Sequence, residues 1–154
     1  MERVNRRKNR AERGLHIVEV AVVLGATLTV AALMLPVTSR ARSYYNLLNA
    51  ADEIISQLEY ARSEAVKRDS TATVTFGTTG TYIVQYTNGT TVTTTFYLPS
   101  DVSLVVPTGS TAPSVQFFSS GKATVTPAGA NLVLQNSSGT RTIAVSVAGN
   151  ITRT

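Results

Sequence analysis

Side chains able to do chemistry are scarce in this chain of 154 residues. It has no cysteine, and its single histidine is His16. From residue 70 to the end, the charged side chains are Asp101, Lys122, Arg141 and Arg153. One carboxylate without a histidine or a thiol cannot form a catalytic triad, a pair of acidic catalysts or a transition-metal cluster there. A Ser–Lys dyad through Lys122 is formally possible but nothing around it supports one, so we expect no enzyme, no catalytic residue, no metal and no cofactor.

The positive charge of the chain is concentrated at its N-terminus. Residues 1–14 hold six basic and two acidic side chains, hence +4 of the formal net charge of +5. Residues 15–154 hold eight basic and seven acidic side chains, hence +1. The high pI of about 9.9 therefore reflects a basic leader and not a basic domain.

A mostly apolar segment follows this leader. Leu15–Leu35 is mostly apolar and would span roughly 31 Å as a helix, which is about the thickness of a bilayer core. The positive-inside rule places residues 1–14 in the cytoplasm and the rest of the chain outside. The segment is too long for the apolar region of an ordinary cleaved signal peptide, whereas a plain signal anchor stays open as an alternative.

Helical periodicity continues beyond the apolar segment. Between about Thr38 and Arg68, apolar residues recur at helical spacing and charged residues fill the other faces. One helix could therefore run from near Leu15 to near Arg68, with a kink or local loosening at Pro36. At its end we expect ion pairs on a solvated surface, including Glu64 with Arg68.

After Ser70 the period changes from about 3.6 to 2, which predicts short strands. The Asn88-Gly89 pair is a strong hairpin signal. We expect an antiparallel sheet or sandwich packed on the apolar stripe of the helix, and thus an α+β fold. The predicted strands are Thr71–Phe76, Thr81–Tyr86, Thr91–Leu98, Val102–Val106, Ser114–Phe118, Lys122–Thr126, Asn131–Gln135 and Arg141–Val147.

The junction between leader and apolar segment is the most specific motif. It reads Arg13-Gly14-Leu15-His16-Ile17-Val18-Glu19-Val20, with no charge from Val20 to Leu35. This stretch resembles the class III signal of type IV pilins and pseudopilins. The resemblance implies that a prepilin peptidase cleaves after Gly14 and that the new N-terminal residue, Leu15, is N-methylated.

Glu19 is the acidic residue of this motif. A carboxylate in the middle of a bilayer costs a few kcal/mol, so its presence calls for a function. After cleavage it would lie in the second turn, where the positive end of the helix dipole favours an anion. The resemblance implies that Glu19 neutralises the N-terminal amine of a neighbouring subunit during filament assembly. The alternative is a carboxylate that reaches the membrane interface.

A second motif narrows the family. The stretch from Ala50 to Arg68, containing Ala61-Arg62-Ser63-Glu64-Ala65, leads into Thr73-Val-Thr-Phe76 and is similar to GspH/FimT-type minor pilins. The closing stretch Arg141–Gly149 also resembles that family's final strand and turn. The resemblance implies a minor pseudopilin of type II secretion or a minor pilin of a type IV pilus, near the filament tip or priming its assembly.

DNA capture for transformation is a further possibility within that family. DNA-binding members have a Gly-Arg-x-Arg turn, and here the matching stretch Gly149-Asn150-Ile151-Thr152-Arg153 keeps one arginine. From Ser43 onward the chain has six basic and six acidic residues and so no surplus charge for phosphate contacts. A local patch of Lys122, Arg141 and Arg153 could still form, but we do not favour DNA as a partner.

The interpretation we adopt is a bacterial prepilin held in the inner membrane and then packed into a pilus or pseudopilus, with its C-terminal domain in the periplasm. Its expected partners are prepilin peptidase, other pilin-type subunits and the membrane. The competing interpretation is a signal-anchored β domain that does not polymerise. The expected parts are a cleaved leader (1–14), a transmembrane and filament-core helix (15–37), an amphipathic continuation (38–69) and an antiparallel β domain (70–154).

Overall fold

The computed structural model of the protein describes residues 3–77, 80–106 and 113–153, and the side chains of all of these except 3–15, 33–37 and 88. The chain divides into two compact units, Met1–Ser39 and Arg40–Thr154. We describe each unit by itself.

A single α-helix, α1, runs over Arg3–Lys67. It begins earlier than the predicted start near Leu15, in keeping with a leader rich in Arg, Lys, Glu and Ala, which have good helix propensity. The helix assignment continues through Pro36, and a bend at this proline stays a prediction. Within the described part of the chain, no helix is both long and apolar enough to cross a membrane, so the expected membrane span is not confirmed.

In the described residues nine strands follow the helix, and they confirm the α+β prediction. The chain order alternates short strands with tight turns, and the strands are β1 (Ala72–Phe76), β2 (Thr81–Asn88), β3 (Thr90–Tyr97), β4 (Ser103–Val105), β5 (Ser114–Phe117), β6 (Ala123–Thr126), β7 (Leu132–Asn136), β8 (Gly139–Val145) and β9 (Ile151–Arg153). The eight strands predicted from alternation are all present, with ends shifted by at most two residues. The ninth, β9, was predicted only as part of a turn.

The strands form two antiparallel sheets. One has the order β3-β2-β1-β5-β6 and the other has the order β4-β7-β8-β9. The predicted Asn88-Gly89 hairpin joins β2 and β3, with Asn88 opposite Thr90 and Gly89 at a φ of +71°. A glycine fits this position because other residues rarely adopt positive φ.

The second half of α1 supplies one side of the core. Its buried side chains recur every three or four residues, and they are Leu47, Ala50, Ala51, Ile54, Leu58, Ala61 and Ala65. The sheets contribute alternate residues to the same cluster, including Val74, Phe76 and Val84 from the first sheet and Leu132, Leu134 and Ile143 from the second. Small alanines at four of the helical positions let the strands approach the helix closely. The predicted apolar stripe is thus confirmed.

Tyr82 adds a polar contact at the edge of this core. Its ring is buried and its hydroxyl donates a hydrogen bond of 3.0 Å to the Glu53 carboxylate on α1. Burial, and then the nearby negative charge of Glu53, raises the pKa of Tyr82 above its usual range. The hydroxyl therefore stays protonated and ties β2 to the helix.

Candidate functional site

The first unit presents an apolar helical surface. The side chains described between residues 16 and 32 are all exposed, among them Ile17, Val18, Val20, Val22, Val23, Leu24, Leu28 and Val30. At 3.6 residues per turn these positions cover every side of the helix. A helix that is apolar on all sides is normally buried, either in a bundle or in lipid. This surface is therefore incomplete until something apolar covers it.

Glu19 stands within this apolar surface. Its carboxylate lies 3.9 Å from Nδ1 of His16, and both side chains are highly exposed, at 75% and 83%. An exposed pair at this distance contributes little to stability. The carboxylate is therefore available to a stronger cationic partner.

The other polar side chains of this surface are satisfied inside the helix. Thr27 donates its hydroxyl to the carbonyl of Leu24 at 2.9 Å, and Thr29 donates to the carbonyl of Gly25 at 2.8 Å. Such local bonds occupy the hydroxyl hydrogen without any external partner. The sequence analysis did not identify these threonines, because a hydroxyl that bonds to its own helix leaves no pattern in the sequence.

The predicted processing residues lie within α1. Gly14 and Leu15 belong to the helix, as does Pro36, but their side chains lie outside the described residues. Cleavage after Gly14, methylation of Leu15 and a kink at Pro36 therefore stay predictions.

In the second unit, the two family-like motifs meet at one point. Nε of Arg62, on α1, donates a hydrogen bond of 3.1 Å to the carbonyl of Gly121. Gly149 lies against the same carbonyl: a Cβ added to it would overlap the Gly121 oxygen and come within 3.0 Å of Nε of Arg62. We call this contact of Arg62, Gly121 and Gly149 the glycine junction. Along the chain, Gly121 and Gly149 lie 59 and 87 positions after Arg62.

The glycine junction also links the two sheets. Gly121 lies in the turn between β5 and β6, where its N–H donates to Phe118, and Gly149 lies in the turn between β8 and β9, where its N–H donates to Ser146. A further bond of 3.0 Å runs from the N–H of Ala123 to the carbonyl of Val147. Helix, first sheet and second sheet are therefore fastened together at this place.

The end of α1 differs in one respect from the predicted solvated surface. Glu64 forms the expected ion pair with Arg68 and lies 3.9 Å from Nζ of Lys67. Yet Glu64 is buried, with only 5% of the residue exposed. A buried carboxylate needs such partners because an unpaired buried charge is costly. Arg62 is half-buried and serves the glycine junction, which the charge pattern did not suggest.

In the described residues the cations of the predicted basic patch share no partner, although Arg141 and Arg153 lie on neighbouring strands, β8 and β9. Arg153, on β9, forms an ion pair with Asp52 on α1, and the Arg141 guanidinium lies over the Tyr44 ring at 5.8 Å. Because Tyr44 and Asp52 are eight residues apart on a helix, the two arginines bind sites about 12 Å apart along its axis. Lys122 is exposed in the β5–β6 turn, next to the glycine junction. Among the described contacts, none joins two of these three cations.

A family model described as Type II transport protein GspH matches residues 50–149. The matched region begins in the core-forming half of α1 and ends at Gly149 of the glycine junction. No curated protein and no solved structure matches the chain.

The architecture defines an α+β domain that follows an apolar helical segment, of the kind expected for a pilin-like subunit. Because the family model covers well over half of the sequence, the chain belongs to the GspH family of type II transport proteins. The family consists of structural, non-enzymatic components that associate with other pseudopilin subunits.

The glycine junction predicts a specific cost for a methyl group at Gly149. Its φ of +82° already disfavours any other residue, and Gly129 has a similar φ of +73° with no atom near its missing Cβ. We expect Gly129→Ala to lower the free energy of unfolding by about 1–2 kcal/mol, through backbone strain alone. Gly149→Ala should lower the free energy of unfolding by about 1–3 kcal/mol more, because the helix and both turns must move apart to make room for the methyl group.

Urea unfolding of the purified variants measures the difference. Equal losses of unfolding free energy in Gly149→Ala and Gly129→Ala would contradict the close contact at the glycine junction.

Proposed function

We propose that the protein is a minor pseudopilin that packs through residues 15–37 of α1 into the filament of a type II secretion apparatus. The observation that carries the proposal is the family match together with the apolar surface of the first unit. The family description favours type II secretion over a type IV pilus. The second unit would remain outside the filament core and contact other subunits or exported proteins.

The chemistry of the apolar surface supports packing against other helices. Eight large hydrophobic side chains are exposed between Ile17 and Val30, and the nearby threonine hydroxyls are satisfied by their own helix. Covering such a surface lowers the free energy of the protein by roughly 25 cal/mol for each Å² of apolar area removed from water. Before assembly the inner membrane would cover it, and after assembly neighbouring subunits would, with the second unit on the periplasmic side.

Glu19 supplies the specificity of that packing. Surrounded by apolar side chains of neighbouring helices, its carboxylate would be costly unless a cation reached it. Cleavage after Gly14 creates a cation of suitable type, the N-terminal amine of Leu15 on an adjacent subunit. The exposed position of Glu19 and its weak contact with His16 leave it able to pair in this way.

Processing is tested by the intact mass of the protein from cells that contain a prepilin peptidase. We expect a chain that begins at Leu15 and carries one additional methyl group. The same chain with Gly14→Ala, recovered from the same cells, should keep its leader. A parent chain that still begins at Met1 in these cells would overturn the prepilin interpretation and favour a plain signal anchor.

The role of Glu19 is tested by Glu19→Ala, with Glu59→Ala as the control. Glu59 is an exposed carboxylate of the second unit, so its loss removes the same charge away from the apolar surface. We expect both variants to be processed. Only Glu19→Ala should enter filaments poorly, by roughly tenfold or more, since a charge-assisted hydrogen bond contributes about 1.5–3 kcal/mol.

Filament incorporation is measured by quantifying the subunit in sheared or purified filament fractions. Normal incorporation of Glu19→Ala would refute pairing through Glu19. Poor incorporation of both variants would show a general effect of charge and would equally refute it.

Capture of DNA remains the alternative function, and the observed contacts do not favour it. Two of the three cations predicted for this role already have partners, Asp52 and Tyr44. Non-specific affinity for DNA comes mainly from neutralised phosphates, so paired cations contribute less.

We therefore expect no duplex DNA binding by the parent at physiological salt. Asp52→Ala, which frees Arg153, and Arg153→Ala are the informative variants. Binding measured by fluorescence anisotropy over a salt series should be absent in all three proteins. Salt-sensitive binding that Asp52→Ala strengthens and Arg153→Ala weakens would instead establish Arg153 as a phosphate contact.

A further inference from the structure

The outer edge of β3 is long and carries no charge. β3 spans eight residues, Thr90–Tyr97, and is an edge strand of the first sheet. The other edge strands, β4, β6 and β9, have only three or four residues each. Proteins usually protect a long edge with charges, proline or a bulge, because its free N–H and C=O groups pair readily with another strand. β3 has none of these in Thr90–Tyr97.

Hydrogen bonding in the sheet shows which groups of β3 point outward. The N–H of Leu98 donates to the carbonyl of Gly80 on the β2 side at 2.8 Å. In an antiparallel pair the residues that exchange bonds alternate along the strand. The even-numbered residues of β3 therefore bond to β2, and the odd-numbered ones direct their N–H and C=O groups to the open edge. These are Thr91, Thr93, Thr95 and Tyr97.

A groove lies beside this edge on the side facing α1. It has a volume of about 300 Å³ and is lined by Gln57, Tyr60, Val84, Tyr86, Thr94 and Phe96. Val92, Thr94 and Phe96 share this face of β3, since they pair with Tyr86, Val84 and Tyr82 of β2. The residues that line the groove carry no charge and include aromatic, aliphatic, hydroxyl and amide side chains, so the groove suits uncharged side chains from an added strand.

We propose that the β3 edge pairs with β3 of a second copy of this chain, antiparallel and about a two-fold axis at Thr94. In this register Thr93 lies opposite Thr95 of the partner and Thr91 lies opposite Tyr97, so every outward N–H and C=O finds a partner. On the groove side, Val92 lies opposite Phe96, an aromatic and β-branched pair that stabilises sheets. A register centred on Thr93 would instead set Val92 against Thr94 and leave Phe96 opposite Thr90.

The self-complementary pattern is the reason for choosing a second copy as occupant. Added strands gain affinity from main-chain bonds and specificity from alternate side chains that enter neighbouring pockets. A second β3 strand supplies both: Val92 meets Phe96, Thr93 meets Thr95, and Thr91 meets Tyr97. No like charges oppose each other, because the strand has none. This pairing is independent of the filament role proposed above.

Disulfide cross-linking of the full chain in mild detergent tests the pairing, because the chain has no cysteine of its own. Thr94→Cys places a thiol on the two-fold axis, in a pair without main-chain hydrogen bonds. The Cα atoms of such a pair are about 4.5 Å apart, within the range of a disulfide. The matched control is Thr124→Cys, an exposed threonine of β6 on the opposite edge of the same sheet.

Under copper–phenanthroline oxidation we expect a covalent dimer of Thr94→Cys on a non-reducing gel, and little from Thr124→Cys. Thr93→Pro in the Thr94→Cys background removes an outward N–H and no main-chain bond of the fold, so the dimer should fall to the control level. It also removes the Thr93 hydroxyl that accepts a hydrogen bond of 3.4 Å from Gln85, a loss that Thr93→Val in the same background reproduces while keeping the N–H. The pair Thr93→Lys with Thr95→Lys sets like charges opposite each other and should have the same effect.

Three results would overturn the proposal, and the third separates it from the proposed function. One is equal cross-linking of Thr94→Cys and Thr124→Cys, which would indicate association through the apolar segment alone. Another is a Thr94→Cys dimer that survives both the proline and the lysine variants while circular dichroism shows them folded. A chain that enters filaments normally without forming this dimer would refute the β3 pairing and leave the proposed function intact.

Discussion

In the second unit one side-chain hydrogen bond, from Arg62 to the carbonyl of Gly121, fixes how closely the helix and the turns of both sheets approach each other. Around it, the end of α1, the β5–β6 turn and the β8–β9 turn come close enough that Gly149 has no room for a methyl group. The helix and both sheets share one apolar core, and polar contacts such as Tyr82 with Glu53 and Arg153 with Asp52 add to it. At the glycine junction the turns of both sheets also meet the helix, and the region matched by the family model ends there.

The two units differ in how far their apolar side chains are buried. In the second unit, alanines and aliphatic residues on one side of α1 are fully covered by strands, and the buried Glu64 is matched by Arg68 and Lys67. In the first unit the same helix exposes large aliphatic side chains on every side and leaves Glu19 with a weak partner. Such a division suits a subunit that joins a larger assembly. The second unit buries its apolar side chains by itself, whereas the first unit buries them only against something else. The pseudopilin interpretation rests on that contrast and on family membership.

Local signals in the sequence were enough to predict most of the fold. Alternation located eight strands, Asn88-Gly89 located a hairpin, and helical spacing located the buried stripe. β9 escaped because Ile151–Arg153 offers three residues and a single apolar one, too few for any period to appear. The helix begins before the predicted start because the Arg, Lys, Glu and Ala residues of the leader favour a helix, whereas the motif at Gly14 and Leu15 is no signal for a helix start. The glycine junction could not be predicted, since no local pattern links Arg62 to turns that lie far away along the chain.

Thr27 and Thr29 have a consequence for how the first unit changes surroundings. Their hydroxyl hydrogens are already committed to carbonyls one turn earlier, so the helix keeps the same set of hydrogen bonds whatever medium encloses it. Among the described side chains of residues 16–32, a change of surroundings would then require new polar partners only for His16 and Glu19. If the helix passes from membrane to filament as proposed, the free-energy difference between the two surroundings depends mainly on the cation that each offers to Glu19.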